Sequence, residues 1–273
     1  SVGAGGYELG GVLDLHGEWA QIDKVERGRA EDGYGGYLSA AASFGLVTIL
    51  GEYKDYWNFD YRYNNPPTCG PSTESYAFSD VKGPRLLVSG NILATGTLIT
   101  GSYGDFDSHR KEDSLGGLDG DGQVEWYVAV EETVGPVYLE ADYFHRDWTN
   151  REITEEHVVS NLHVTTLGGR GDVAVGYDLR KESSNYAARA DHRSYLSFSM
   201  SPWGSVGVRY AWTDKTNLPT EEFWGGEIQY LPSRAITLTL FVGSDPGGLV
   251  CAGGQCREQP PFKGFWTTLN WRF

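Results

Sequence analysis

Phe262-Lys-Gly-Phe-Trp-Thr-Thr-Leu-Asn-Trp-Arg-Phe273 is the stretch that decides the fold. Counted back from Phe273, alternate residues are mostly large and apolar: Trp271, Leu269 and Phe265, with Thr267 the exception. The residues between them, Arg272, Asn270, Thr268 and Gly264, are polar or small. A period of two puts the two sets on opposite faces of a half-buried β-strand.

The same period recurs upstream. Tyr7 to Gln21 sets Tyr7, Leu9, Leu13, Leu15 and Trp19 against Glu8, Asp14, His16 and Glu18, over roughly twice the usual strand length. The Ser1–Gly6 stretch before it lacks the Lys-Ser/Thr of a phosphate loop and reads as a flexible lead. After a charged loop at Asp23–Asp32, strands are predicted at 33–42, 47–57, 85–93, 97–107, 123–132 and 137–146. Others follow at 156–167, 172–180, 186–200, 206–212, 222–230 and 236–242. With the closing stretch this makes about fourteen, an even number. Their connections alternate. Short turns such as Ser43-Phe44-Gly45, Val134-Gly135-Pro136 and Ser201–Gly204 take turns with long or polar loops such as 58–83, 108–120 and 244–261. Both termini then fall on the short-turn side. No helix period, repeat or domain boundary interrupts the pattern, so residues 1–273 are expected to be one domain.

Bulk composition narrows the class. The chain carries 37 acidic against 22 basic residues, net charge −15. That excludes the basic face a nucleic-acid partner needs. Mean hydropathy is −0.40, and no apolar run approaches the ~20 residues of a membrane helix. A soluble all-β protein and a membrane barrel look alike on these numbers, because only alternate strand residues of a barrel meet lipid. Cys251 and Cys256 sit in Cys-Ala-Gly-Gly-Gln-Cys, a loop suited to a small disulfide in an oxidising compartment, with Cys69 left over.

An alternating aromatic strand that runs to a terminal Phe273 resembles the closing strand of bacterial outer-membrane β-barrels. The alternation of short and long connections matches that family, which has short periplasmic turns and longer extracellular loops. The resemblance implies a transmembrane, up-and-down, antiparallel all-β barrel in the outer membrane. Its partners would be membrane lipid and lipopolysaccharide. The interior of so many strands is too wide for side chains to fill, the polar face is densely charged, and aromatics crowd the strand ends. These favour an apolar face turned to lipid. The final strand is expected to pair with both 236–243 and Tyr7–Gln21.

A polar face turned inward has its charges sorted by strand. Glu8, Asp14, Glu18, Glu52, Glu125, Glu131, Glu140 and Asp142 form an acidic wall, and Arg180, Arg189, Arg193 and Arg209 an arginine wall. Such walls resemble the constriction of general porins and imply a passive channel for small polar solutes. Alternatively the charges brace the wall, with Asp178, Asp191 and Glu140 available to the arginines. The barrel would then be non-conducting, an anchor or partner for another envelope protein. A third reading starts from Asp105-Phe-Asp107 and His145-Arg-Asp147, whose outer residues share a strand face. They are similar to the dyads of omptin surface proteases. Solvated rim charge is the favoured reading of both, and no enzymatic activity is expected. Asp119-Gly-Asp121-Gly122 is only a fragment of a calcium loop. His157 and His163, roughly 20 Å apart along a strand, are too distant to share a metal. No metal or cofactor is expected.

Overall fold

The period-two stretches pair with one another in chain order. The structure, a computed structural model, describes residues 2–9, 12–26, 29–57, 81–109, 122–149, 152–184, 188–214, 221–233, 235–252, 255–259 and 261–271, with side chains outside 2–9, 22–32 and 248–260. The strands are β1 Val2–Leu9, β2 Leu13–Glu26, β3 Arg29–Phe44, β4 Val47–Trp57, β5 Val81–Ile92, β6 Thr97–Phe106, β7 Gln123–Val134, β8 Val137–Trp148 and β9 Ile153–Thr166. They continue as β10 Gly171–Ser183, β11 Ala188–Met200, β12 Gly204–Thr213, β13 Glu222–Ser233, β14 Ile236–Asp245, β15 Gly248–Ala252, β16 Gln255–Gln259 and β17 Phe262–Trp271. Fifteen of them follow one another in a single antiparallel up-and-down order, β1 to β14 and then β17, while β15 and β16 form a separate hairpin. Contacts divide the chain into two compact units: Ser1–Val130 with Asp142–Glu156 and Ser183–Tyr186, and Glu131–Ala141 with His157–Glu182 and Ala187–Phe273.

Burial decides the orientation of the faces. Along β4, Val47, Ile49 and Tyr53 are exposed, whereas Glu52, Lys54 and Tyr56 between them are buried. Along β13, Trp224 is 63% exposed and Ile228 also lies open, whereas the neighbouring Phe223 is buried. On β17, Leu269 is 65% exposed. The apolar set is thus on the outside and the charged set on the inside, the reverse of a water-soluble sandwich. A continuous apolar face of this kind is stable only against hydrocarbon.

The final strand pairs with β14 as expected, in a register running from Ile236↔Trp271 to Asp245↔Phe262. Leu238, Leu240 and Val242 meet Leu269, Thr267 and Phe265 on the apolar face, while Thr239 and Phe241 meet Thr268 and Trp266 on the other. Short turns are closed by glycine where the backbone needs a left-handed φ, at Gly45 (63°) and Gly135 (57°).

Five sequence expectations are corrected. Tyr7–Gln21 is not one strand: Val2–Leu9 and Leu13–Glu26 are two, paired Leu9↔Leu13 and Tyr7↔Leu15. Paired positions of equal parity share a face, so the alternation ran unbroken through the reversal and concealed it. Leu13–Gln21 consequently has β1 and β3 as its neighbours, not the final strand. Val2 pairs with Trp19, halfway along β2, so it lies away from the short turn that joins these two strands rather than at it. Asp23–Asp32 is not a loop but the tip of a long hairpin, Asp23↔Asp32 to Glu26↔Arg29. Backbone pairing there continues regardless of side-chain polarity. Likewise 244–261 contains the β15–β16 hairpin, which no alternation announces. Most of 58–83 and the fragment at Asp119, with Cys69 and Phe273, lie outside the described residues.

Candidate functional site

The polar faces of the two units differ in chemistry. In the first unit, carboxylates and cations from neighbouring strands interlock. Glu52 on β4 accepts from the Arg85 guanidinium at 3.1 Å and from the Tyr37 hydroxyl at 2.6 Å. Further along the strands, Arg146 on β8 donates to Glu125 on β7 and to Glu155 on β9, each at 3.3 Å. Arg146 is 4% exposed and Glu125 2%. The guanidinium carbon lies 4.9 Å from the Phe144 ring centre and 5.4 Å from that of Trp148. Lys54, fully buried, has its ammonium 5.8 Å from the Phe106 ring centre. Tyr56, Val81 and Phe106 pack together beside it. Charge buried this deeply is stable only because each ion meets a partner of opposite sign or an aromatic face.

In the second unit the polar face stays open. It holds a cavity of about 380 Å³ lined in part by Asn161, Asp178, Arg193, Tyr195, Arg209 and Asp245. Arg209 bridges Asp245 at 3.1 Å and stacks on Phe241, 4.2 Å from its ring centre. Arg193 donates to the Gly247 carbonyl at 3.3 Å. His157 pairs with Asp178 at 2.8 Å. The Tyr195 hydroxyl donates to Asn161, whose amide donates to Glu140, both at 3.1 Å. Arg189 pairs with Glu182.

Each lumen candidate from Glu52 through Arg209 lies on the face of its strand opposite the exposed apolar residues; Glu131 accepts from Tyr138, and Asp142 and Arg180 are half-buried. The arginines meet Glu182, the Gly247 carbonyl and Asp245, while Asp178 meets His157 and Asp191 meets Thr213. The acidic wall is interleaved with cations that the strand-by-strand sorting passed over: Lys54, Arg85 and Arg146. Alternation alone marks all three as polar-face residues, since Lys54 is in phase with Glu52. Cys251 and Cys256 face each other in the β15–β16 register.

The rim dyads sit on the other face. His145 pairs with Asp147 at 2.9 Å, and Thr154 donates to Asp147 at 2.7 Å. His145 stacks on Trp126, which also meets Tyr143, so the pair caps an aromatic patch in phase with the exposed Leu139. Asp105 and Asp107 are exposed in phase with Tyr103. Both dyads therefore lie on the face of their own strands opposite the buried Phe106 and Arg146. Only His145 and Asp147 are joined by a hydrogen bond in the described contacts, and they lie on the side of the outward-facing aromatics.

An antiparallel up-and-down sheet, apolar outside and ionic inside, defines the outer-membrane β-barrel class, a fold of the bacterial outer membrane. Among solved structures, an in-vitro folded form of OmpT, an outer membrane protein of Vibrio cholerae in trimer form, matches at 11% identity, covering 98% of this chain and 99% of its own, with a TM-score of 0.38. No family model matches the sequence, and no curated protein does. The expectation of no enzymatic activity is corrected here. The His145–Asp147 pair is assembled on β8, so an absence of catalysis is not a property this structure assigns.

Proposed function

We propose that the chain is a passive, porin-like outer-membrane channel for small polar solutes, with its polar face lining the lumen. One observation carries the reading: the polar face of the second unit keeps a cavity of about 380 Å³ whose charged groups remain open to solvent. Arg189, Arg209, Asp178 and His157 all stay more than a third exposed despite their partners. A wall meant only to seal would bury them, as the first unit buries Arg146.

That buried cluster favours a second reading, a non-conducting barrel that anchors or partners another envelope protein. Reconstitution of the purified chain in planar bilayers separates the two. A stable current that scales with salt concentration is expected of the channel. A correctly folded barrel that inserts and stays silent would overturn it in favour of the anchor.

A further inference from the structure

We propose that the cavity of the second unit binds a neutral pyranose sugar, seated on the ring of Tyr195; the proposal rests on the channel reading and names its solute class. The argument begins with a glycine. A side chain at Gly176 on β10 would overlap the Tyr195 ring reaching across from β11. The ring therefore lies over backbone, the close approach for which glycine leaves room. Tyr195 belongs to the polar face yet remains one of the exposed large side chains, so ring surface is left open beside the cavity it lines. A flat apolar platform is what the C–H face of a pyranose stacks upon.

The groups around the platform suit hydroxyls. Each is held by one or two contacts and retains hydrogen-bonding capacity. Arg193 has five N–H donors and gives one to the Gly247 carbonyl. Asp178 has two carboxylate oxygens, and His157 takes one. Asn161 is fixed by Tyr195 on its oxygen and by Glu140 on its nitrogen, leaving a further N–H and a lone pair. Fixed planar donors and acceptors beside an aromatic surface form the usual composition of a small-molecule site, mostly apolar with a few oriented polar groups. Charge decides against an ion. The lining holds two cations, Arg193 and Arg209, and two carboxylates, Asp178 and Asp245. An anion or a cation would meet an equal repulsion for every attraction.

The test is calorimetric titration of the full chain in detergent micelles with maltose, alongside glycine as a zwitterion and gluconate as an anion. Saturable binding of maltose is expected, with weaker or no response to the other two. Tyr195→Ala is expected to weaken it about tenfold. Tyr195→Phe keeps the platform and retains binding. Gly176→Val leaves Tyr195 in the sequence but displaces its ring, and should weaken binding as Tyr195→Ala does. No saturable maltose binding by the wild-type chain, preference for glycine or gluconate, or maltose binding indifferent to both Tyr195→Ala and Gly176→Val would overturn the proposal. The channel reading fails separately: a barrel that binds maltose but is electrically silent loses only conduction, and one that conducts without binding sugar loses only this site.

Discussion

A guanidinium shut away from water is stable only where carboxylates meet it, and Arg146 meets two. Its replacement by alanine takes from the buried Glu125 the guanidinium that meets it, and from Glu155 the same contact. Arg146→Ala should therefore lower stability by about 3–5 kcal/mol in urea unfolding of the micelle-bound chain. Arg146→Met combined with Glu125→Gln and Glu155→Gln should recover most of that loss, because the desolvated charges go together. Equal loss in single and triple variants would show that packing against Phe144 and Trp148, not charge, is what Arg146 contributes. At this scale the sequence was half informative. Period two places Glu52 and Glu125 on the charged face. It is silent about partners: Arg85 lies 33 residues from Glu52, and Arg146 lies 21 from Glu125. Separations of that kind become neighbours only once strand order and register are set.

The strands themselves test which face meets lipid. Val208 on β12 is exposed and pairs with Leu196 of β11, whereas Ser197 beside it belongs to the charged face. Val208→Arg should destabilise the bilayer-inserted chain by about 2–4 kcal/mol if it lies near the midplane. Ser197→Arg should be tolerated within about 1 kcal/mol, since surface-accessible polar positions absorb such changes. Equal tolerance of both would remove the lipid-facing assignment. The β15–β16 hairpin offers an independent check. Opposed in register, Cys251 and Cys256 are placed to bridge, so maleimide labelling of the unfolded chain should modify two more cysteines after reduction than before. Strand existence was legible wherever one face is apolar. It was illegible at Val2–Leu9, where the reversal preserved parity, and at the β2–β3 tip, where charged residues occupy paired backbone.

For the molecule as a whole, the exposed apolar face could be read from sequence because it recurs along strand after strand among the described residues. The contrast between a sealed ionic cluster and an open cavity could not. Both polar faces carry similar residue types, and only side-chain reach and the placement of aromatics such as Phe106 and Trp148 decide which one closes. The charge of the open face yields a selectivity prediction. With Arg193 and Arg209 balanced by Asp178 and Asp245, the zero-current potential in a KCl gradient should be small. Changing Arg189 and Arg193 to Glu reverses two charges on that face and should move the potential clearly toward cation preference. An unmoved potential would place both residues outside the conduction path.

The glycine–ring contacts have one more consequence. A side chain at Gly225 would overlap the Phe241 ring on β14, just as one at Gly176 would overlap Tyr195. Binary patterning forbids adjacent strands to slide by one residue, since every side chain would change face, but it is blind to a slide of two. After a slide of two, polar still faces polar and apolar still faces apolar, yet each ring would strike a side chain instead of bare backbone. These pairs act as notches that count in twos: they select one alignment from a ladder of alignments that hydrophobicity cannot tell apart.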